Sequence, residues 1–251
     1  MSSTGTLYLI PNTLGDDQRE DQIKHILPQT VIETAASLEY WIVENAKTTR
    51  AFLKAIASVH PLKKPIQELH MSEWRGSKSS IDPKSLIAPL LAGHDVGLIS
   101  EAGLPAIADP GAEIVHAAHQ AKIRVAPLVG PSSLMLALMA SGMNGQRFAF
   151  HGYLPIKDPQ RTQTIKALET ESRKFNQSQL WIETPYRNQG MLEHLLRTLD
   201  KRTQLCLAID MSLPSQTVLS MSIGDWQSWS KKHEAIVQSL DRRPAVFVLL
   251  A

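Results

Sequence analysis

The sequence predicts an α/β protein of two α/β domains with a cleft between them, and three observations predict it. Short apolar runs alternate with amphipathic segments from Leu7 to Ser141, the pattern of strands and helices in an α/β layer. The stretch Gly142-Met143-Asn144-Gly145-Gln146 then interrupts the pattern and reads as a linker, which puts the domains at 1–145 and 146–251. Loops rich in Gly, Pro and small residues follow several apolar runs, where an open α/β sheet places the loops that line its ligand crevice.

In chain order, Leu7–Ile10 is a first strand stopped by Pro11, and Asn12–Asp17 is a turn-rich loop. Pro28–Leu38 carries apolar residues at helical spacing. Tyr40–Val43 is a strand ending at Glu44-Asn45. Thr48–Val59 sets Phe52, Leu53, Ile56 and Val59 on one helical face. Pro65–Met71 reads as a short strand, Trp74–Ser80 as a polar loop, and Asp82-Pro83 as the start of a helix reaching Leu91. Val96–Ile99 is a buried strand. The loop Ser100–Ala108 follows, and Asp109-Pro110 reads as the capped start of a helix to Ala121. Arg124–Leu128 is a strand. The turn Val129–Ser133 leads into an Ala/Leu/Met helix ending at Ser141. After the linker, strands are expected at Phe148–Phe150, Gln179–Glu183, Leu205–Ile209, Thr217–Met221 and Ala245–Leu250. Helices are expected from Asp158-Pro159 to Lys174, from Thr184-Pro185 to Leu199, and from Asp225 to His233.

Composition narrows the chemistry. The 251 residues include 26 basic and 24 acidic ones, for a net charge of +2, which excludes a protein that coats polyanions through bulk charge. The single cysteine, Cys206, allows neither an internal disulfide nor a cysteine metal cluster; it lies in an apolar run and reads as a small buried hydrophobe in a reducing, cytoplasmic setting. No secretory signal and no membrane span are expected. There is no G-x-S-x-G, no H-E-x-x-H, no P-loop lysine and no G-x-G-x-x-G. His116 and His119 share a helix face, and a hydrogen-bonded surface pair outweighs a metal role; no metal site is expected. Trp41, Trp181, Trp226 and Trp229 read as packing residues.

Four carboxylates, Glu44, Glu101, Asp109 and Glu183, fall at or just past strand ends. Asp109 reads mainly as a cap; Glu101 and Glu44 are the candidates for proton transfer. Lys47, Arg50 and Arg187 stand near helix starts on the same predicted edge, and a planar guanidinium suits phosphate or carboxylate. At Gly130-Pro131-Ser132, free N–H groups at a helix start form an anion site.

These segments, taken in order, resemble a known family. Pro11-Asn12-Thr13-Leu14-Gly15-Asp16 is similar to P-T-P-I-G-N, and Glu44–Arg50 to an E-D-T-R-like segment. Ile99–Gly111 is similar to V-S-D-A-G-x-P-x-I-S-D-P-G, and Val129–Ser133 to P-G-P-S-A. Gly152–Pro155 is similar to G-F-L-P, and Glu183–Arg187 to E-T-P-H-R. The set resembles the tetrapyrrole-methylase-like (class III) S-adenosylmethionine methyltransferases, and within them the ribosomal RNA small-subunit methyltransferase I branch.

The resemblance implies two α/β domains with S-adenosylmethionine in the interdomain cleft of a homodimer. It implies cofactor contacts at Pro11, Ser100, Ala102, Gly103, Pro105, Gly130, Pro131, Ser132 and Thr184, with Ala208 as a weaker one. The implied reaction is 2′-O-methylation of ribosomal RNA, with the small ribosomal subunit as partner. Glu101 and Glu44 would take the acceptor proton, and Arg50 or Arg187 would hold a phosphate. Arg75, Lys78, Lys157, Arg161, Arg173 and Lys174 are the scattered basic residues for RNA. The chain departs from the pattern at Asn45 and Ala46, at Glu101 in place of Asp, and at Val129 in place of Pro. Two other readings stand beside the first: methylation of a small molecule such as a tetrapyrrole, and S-adenosylmethionine binding without catalysis.

Overall fold

The computed structural model describes residues 4–15, 19–76 and 79–251, which form two compact units, Met1–Ser132 and Ser133–Ala251. The first unit holds strands β1 (Thr6–Leu9), β2 (Tyr40–Val43), β3 (His70–Glu73), β4 (Val96–Ile99) and β5 (Arg124–Pro127). They form one sheet in the order β3-β2-β4-β1-β5, and every pairing is parallel. Its helices are α1 (Arg19–Ile26), α2 (Gln29–Ser37), α3 (Ala46–Ala57), α4 (Pro83–Leu86), α5 (Ala88–Leu91) and α6 (Ala112–Gln120).

Alternation along the strands sends side chains to two cores. Trp41 and Val43 join Ile23, Val31, Phe52 and Ile56 from α1–α3, whereas Ile42 joins Leu86, Leu90 and Ile114 from α4–α6. Both faces are therefore covered, as a parallel sheet requires.

The second unit begins with α7 (Ser133–Ser141). It contains β6 (Phe148–Tyr153), α8 (Gln160–Phe175), β7 (Ser178–Ile182), α9 (Asn188–Thr198), β8 (Gln204–Ile209), β9 (Thr217–Ser222), α10 (Ile223–Lys232), α11 (Glu234–Ser239) and β10 (Ala245–Leu250). The sheet order is β6-β7-β10-β8-β9. Only β6 and β7 run parallel; β10 is antiparallel to β7 and to β8. Trp181 stacks on its cross-strand partner Phe247 with centroids 5.4 Å apart. The buried Trp226 donates its indole N–H to the Leu205 carbonyl at 2.8 Å. Helix α7 packs on β8, β9 and β10, and Ser220 Oγ donates to the Ser141 carbonyl at 2.7 Å.

The four tryptophans expected to pack do so: Trp41, Trp181 and Trp226 are buried, and Trp229 meets Trp226 edge to face. Cys206 is buried as expected, and burial pushes its thiol up to about 11. Among the described residues no helix is long and apolar enough to cross a membrane.

The structure corrects several element boundaries. Residues 65–71 form a 3-10 turn, Ile66–Glu68, and the strand begins at His70. The segment to Leu91 is two short helices, because Pro89 supplies no N–H for a continuous ladder. Asp109 is not a helix cap: α6 starts at Ala112 behind Gly111, with no side-chain cap. Thr184-Pro185 opens a 3-10 turn, Pro185–Arg187, and α9 follows it. Helices α1 and α11 were not anticipated.

Candidate functional site

A parallel sheet gathers all its carboxyl ends at one edge, and in the first unit the loops after β1, β4 and β5 lock together there. Asn12, fully buried, donates its backbone N–H to the Gly103 carbonyl at 2.8 Å. Its side-chain amide donates to the carbonyls of Ser100 (3.1 Å) and Glu101 (2.9 Å). Gly103 returns an N–H to the Thr13 carbonyl at 3.4 Å.

Gly103 has φ +67°, the left-handed region that side chains rarely adopt. A Cβ there would stand 3.2 Å from Leu14 Cδ2 and 3.7 Å from the Pro131 carbonyl oxygen, so the missing side chain leaves the backbone bare between those loops. A Cβ on Gly130 would fall 2.0 Å from Pro11 Cβ, so the β1 and β5 loops approach more closely than any other residue permits. Ala106 and Ala108 also have φ of 65° and 63°, strained positions of the kind that gather in ligand loops. Pro11, Ser100, Gly103 and Pro105 are buried; Gly130, Pro131 and Ser132 are half-buried, and Ala102 is exposed.

Three carboxylates share this edge. Glu44 Oε2 accepts the Glu101 backbone N–H at 3.0 Å, and Glu101 Oε1 accepts the Thr48 hydroxyl at 3.1 Å. Asn45 caps α3, its side-chain oxygen accepting from the N–H of Lys47 (2.9 Å) and Thr48 (3.5 Å). An amide at this position therefore serves the fold as well as a carboxylate does. The third member is Asp109. Burial pushes its carboxyl up to about 7, the Glu44 and Glu101 carboxylates add to the rise, and the Ser100 hydroxyl offsets part of it. Arg50 is exposed on α3.

In the second unit, Glu183 follows β7 directly, with its side chain fully buried. Arg187 places Nη2 3.2 Å from its Oε1 and 3.1 Å from its Oε2. Burial raises the Glu183 carboxyl, while Arg187 and then Arg161 oppose the rise. Thr184 Oγ1 is buried without a hydrogen-bond partner, and Ala208 is buried in β8, in register with Val246 of β10.

Among the expected residues, the structure thus joins Pro11, Ser100, Gly103, Gly130 and Pro131 through neighbouring loops, with Glu44 and Glu101 linked directly to each other. Arg187 pairs with Glu183 instead of standing alone. Sequence reasoning missed Asn12 as the clamp between loops, although Asn at a strand end is a residue type that bonds nearby backbone. It grouped Asp109 with Glu44 and Glu101 but read it mainly as a helix cap, which the structure does not bear out. Asp16, Asp17 and Lys78 lie outside the described residues.

The arrangement is a two-unit α/β fold with a bare-backbone loop cluster at one sheet edge. The same fold occurs in solved methyltransferases of tetrapyrrole chemistry. Uroporphyrin-III-C-methyltransferase from Thermus thermophilus matches with a TM-score of 0.54 at 17% identity, covering 98% of this chain and 94% of that one. The methyltransferase CobJ matches at 0.58 and 14% identity, with the same coverage. No family model matches the chain. The chain is 30% identical over 226 residues to ribosomal RNA small subunit methyltransferase I of Haemophilus influenzae, covering 90% of this chain and 73% of that protein. It is 27% identical over 249 residues to the protein of that name from Escherichia coli O157:H7, covering 99% and 78%. The chain belongs to the ribosomal RNA small subunit methyltransferase I family, and it is a methyltransferase.

Proposed function

We propose that the protein transfers a methyl group from S-adenosylmethionine to a ribose 2′-hydroxyl of ribosomal RNA in the small ribosomal subunit. The observation that carries this reading is the backbone-lined cluster at Pro11, Gly103 and Gly130 in a chain of this family. S-adenosylmethionine, when bound, supplies an electrophilic methyl group on a sulfonium centre. A zwitterion of that kind calls for backbone amides at its carboxylate and backbone carbonyls at its cationic side. The turn Gly130-Pro131-Ser132 leads into α7 and offers the first; the carbonyls near Gly103 offer the second. Gly103 carries no side chain to cover the backbone where the β1, β4 and β5 loops meet, and a Cβ there would crowd Leu14.

The chain's own residues then have defined tasks. A ribose hydroxyl is a weak nucleophile, so a carboxylate that takes its proton speeds the transfer. Glu101 is the candidate, held by Thr48 at its side chain and by Glu44 at its backbone; Glu44 is the second candidate. Arg50, exposed on α3, is the candidate for a substrate phosphate. A protein that acts on ribosomal subunits is expected in the cytoplasm, and the family resemblance favours a homodimer.

The test is incubation of the purified protein with methyl-labelled S-adenosylmethionine and small ribosomal subunits from cells lacking the gene. Label is expected in the RNA, and Glu101→Gln is expected to slow its appearance by about 10²-fold or more at unchanged cofactor affinity. Absence of label in RNA, with cofactor binding confirmed by calorimetry, would turn the reading to a small-molecule acceptor.

A further inference from the structure

The second unit contains a cavity of about 550 Å³ outside the loop cluster described above. Two arginines reach it, Arg161 from the first turn of α8 and Arg187 from the turn after β7. Each has Nη2 against a carboxylate: Arg161 at 3.2 Å from Asp158 Oδ2, and Arg187 at 3.1 Å from Glu183 Oε2. These ion pairs fix both guanidinium groups before any ligand arrives. Arg161 Nε is buried and has no hydrogen-bond partner.

Tyr186 lines the same cavity with 71% of its surface exposed, an aromatic ring held out to solvent between two ordered arginine-bearing segments. Ile156, 64% exposed, adds an apolar wall. The space is kept open by Gly190 in the first turns of α9. A Cβ at Gly190 would meet nothing within 4 Å, although alanine forms helix better.

Acceptors complete the lining. Asp241 Oδ1 accepts the Gln189 backbone N–H at 2.8 Å, and Glu193 Oε1 accepts the Gln189 side-chain amide at 3.0 Å. Two positive and two negative side chains line the cavity, so their formal charges cancel and it is no trap for a bare anion. A neutral planar group that both donates and accepts hydrogen bonds fits this lining better. Unpaired RNA bases are recognised in this way, stacked on an aromatic ring or a guanidinium plane and read along their edges.

We propose that this cavity receives one unpaired base of the RNA substrate, stacked against Tyr186 and bonded at its edge by Arg161 and Arg187. The proposal rests on the reading of the substrate as ribosomal RNA.

The probe is a fluorescent single-stranded RNA, compared with the same backbone carrying abasic sites. Wild-type protein is expected to bind the abasic strand about tenfold more weakly, the scale of one lost stacking contact. Gly190→Leu, which fills the cavity, and Tyr186→Ala, which removes the platform, are each expected to abolish that difference. Both are expected to leave the melting temperature and the calorimetric affinity for S-adenosylmethionine unchanged. Equal affinity of wild type for the two strands overturns the proposal, as does an undiminished difference in both variants. If wild type methylates no ribosomal RNA yet discriminates the strands through Tyr186 and Gly190, the base site stands and the substrate reading falls.

Discussion

Asp109 departs furthest from the usual behaviour of its side chain. Burial, with the charges of Glu44 and Glu101 behind it, raises its carboxyl to about 7. The native state therefore keeps a proton that the unfolded chain gives up near pH 4. Between about pH 4 and pH 7 the native state binds more protons than the unfolded state, so stability falls as pH rises through that window and levels off above it. Asp109→Asn removes the titrating group while keeping its shape. Scanning calorimetry is expected to show the variant gaining stability relative to wild type as pH rises from about 4 to 8, by a few degrees. A difference between the two proteins that is constant across that range would contradict the raised pKa. The identity of this residue as a buried acid was not legible in the sequence. Asp-Pro ahead of a periodic segment looks like a helix cap, and only the return of the loop toward Ser100 shows that the carboxyl faces Glu44 and Glu101.

At the level of elements, the β1 and β5 loops are joined by a contact that only glycine allows. An alanine at Gly130 would put Cβ 2.0 Å from Pro11 Cβ, inside backbone-borne atoms that cannot swing aside. Gly145 is the matched control, with nothing within 4 Å of its Cβ position. Gly130→Ala is expected to cost about 1–3 kcal/mol of stability, the range for overpacked sites, and to weaken cofactor binding; Gly145→Ala is expected to be neutral within about 0.5 kcal/mol. Chemical denaturation and calorimetry of the two variants decide the point, and equal stability would refute the close approach. Strands were the most legible elements, because runs such as Tyr40–Val43 and Val96–Ile99 are apolar between turn residues and are buried on both faces of a parallel sheet. Helix α1 was not, because Arg19–Ile26 is mostly polar and only its packing of Ile23 into the core declares it. The Gly130 turn was read as a helix-start anion site, and its close approach to Pro11 was not foreseen, because Pro11 lies more than a hundred residues away in sequence and no local pattern links them.

For the whole molecule, the balance of 26 basic against 24 acidic residues sets how it meets a polyanion. A protein that relied on bulk charge for RNA would show a large basic excess, and this one has a net charge of +2. Some of its cations are ion-paired within the fold or on its surface: Lys63 and Lys64 with Glu39, Arg161 with Asp158, Arg187 with Glu183, and Arg243 with Asp210. With the net charge this close to zero, affinity is expected to come mainly from local hydrogen bonds and stacking, which salt screens weakly. Each phosphate neutralised on single-stranded RNA contributes about −0.7 to the slope of log affinity against log salt. With two to four contacts, the expected slope for single-stranded RNA is about −1.4 to −2.8, measured by fluorescence anisotropy from low to physiological salt. A slope steeper than about −6 would require about nine or more phosphate contacts, and would mean that bulk electrostatics rather than shaped contacts dominate binding. The composition alone foretold a weak long-range field; that cations such as Arg187 and Arg243 are held by buried carboxylates emerged only in the fold.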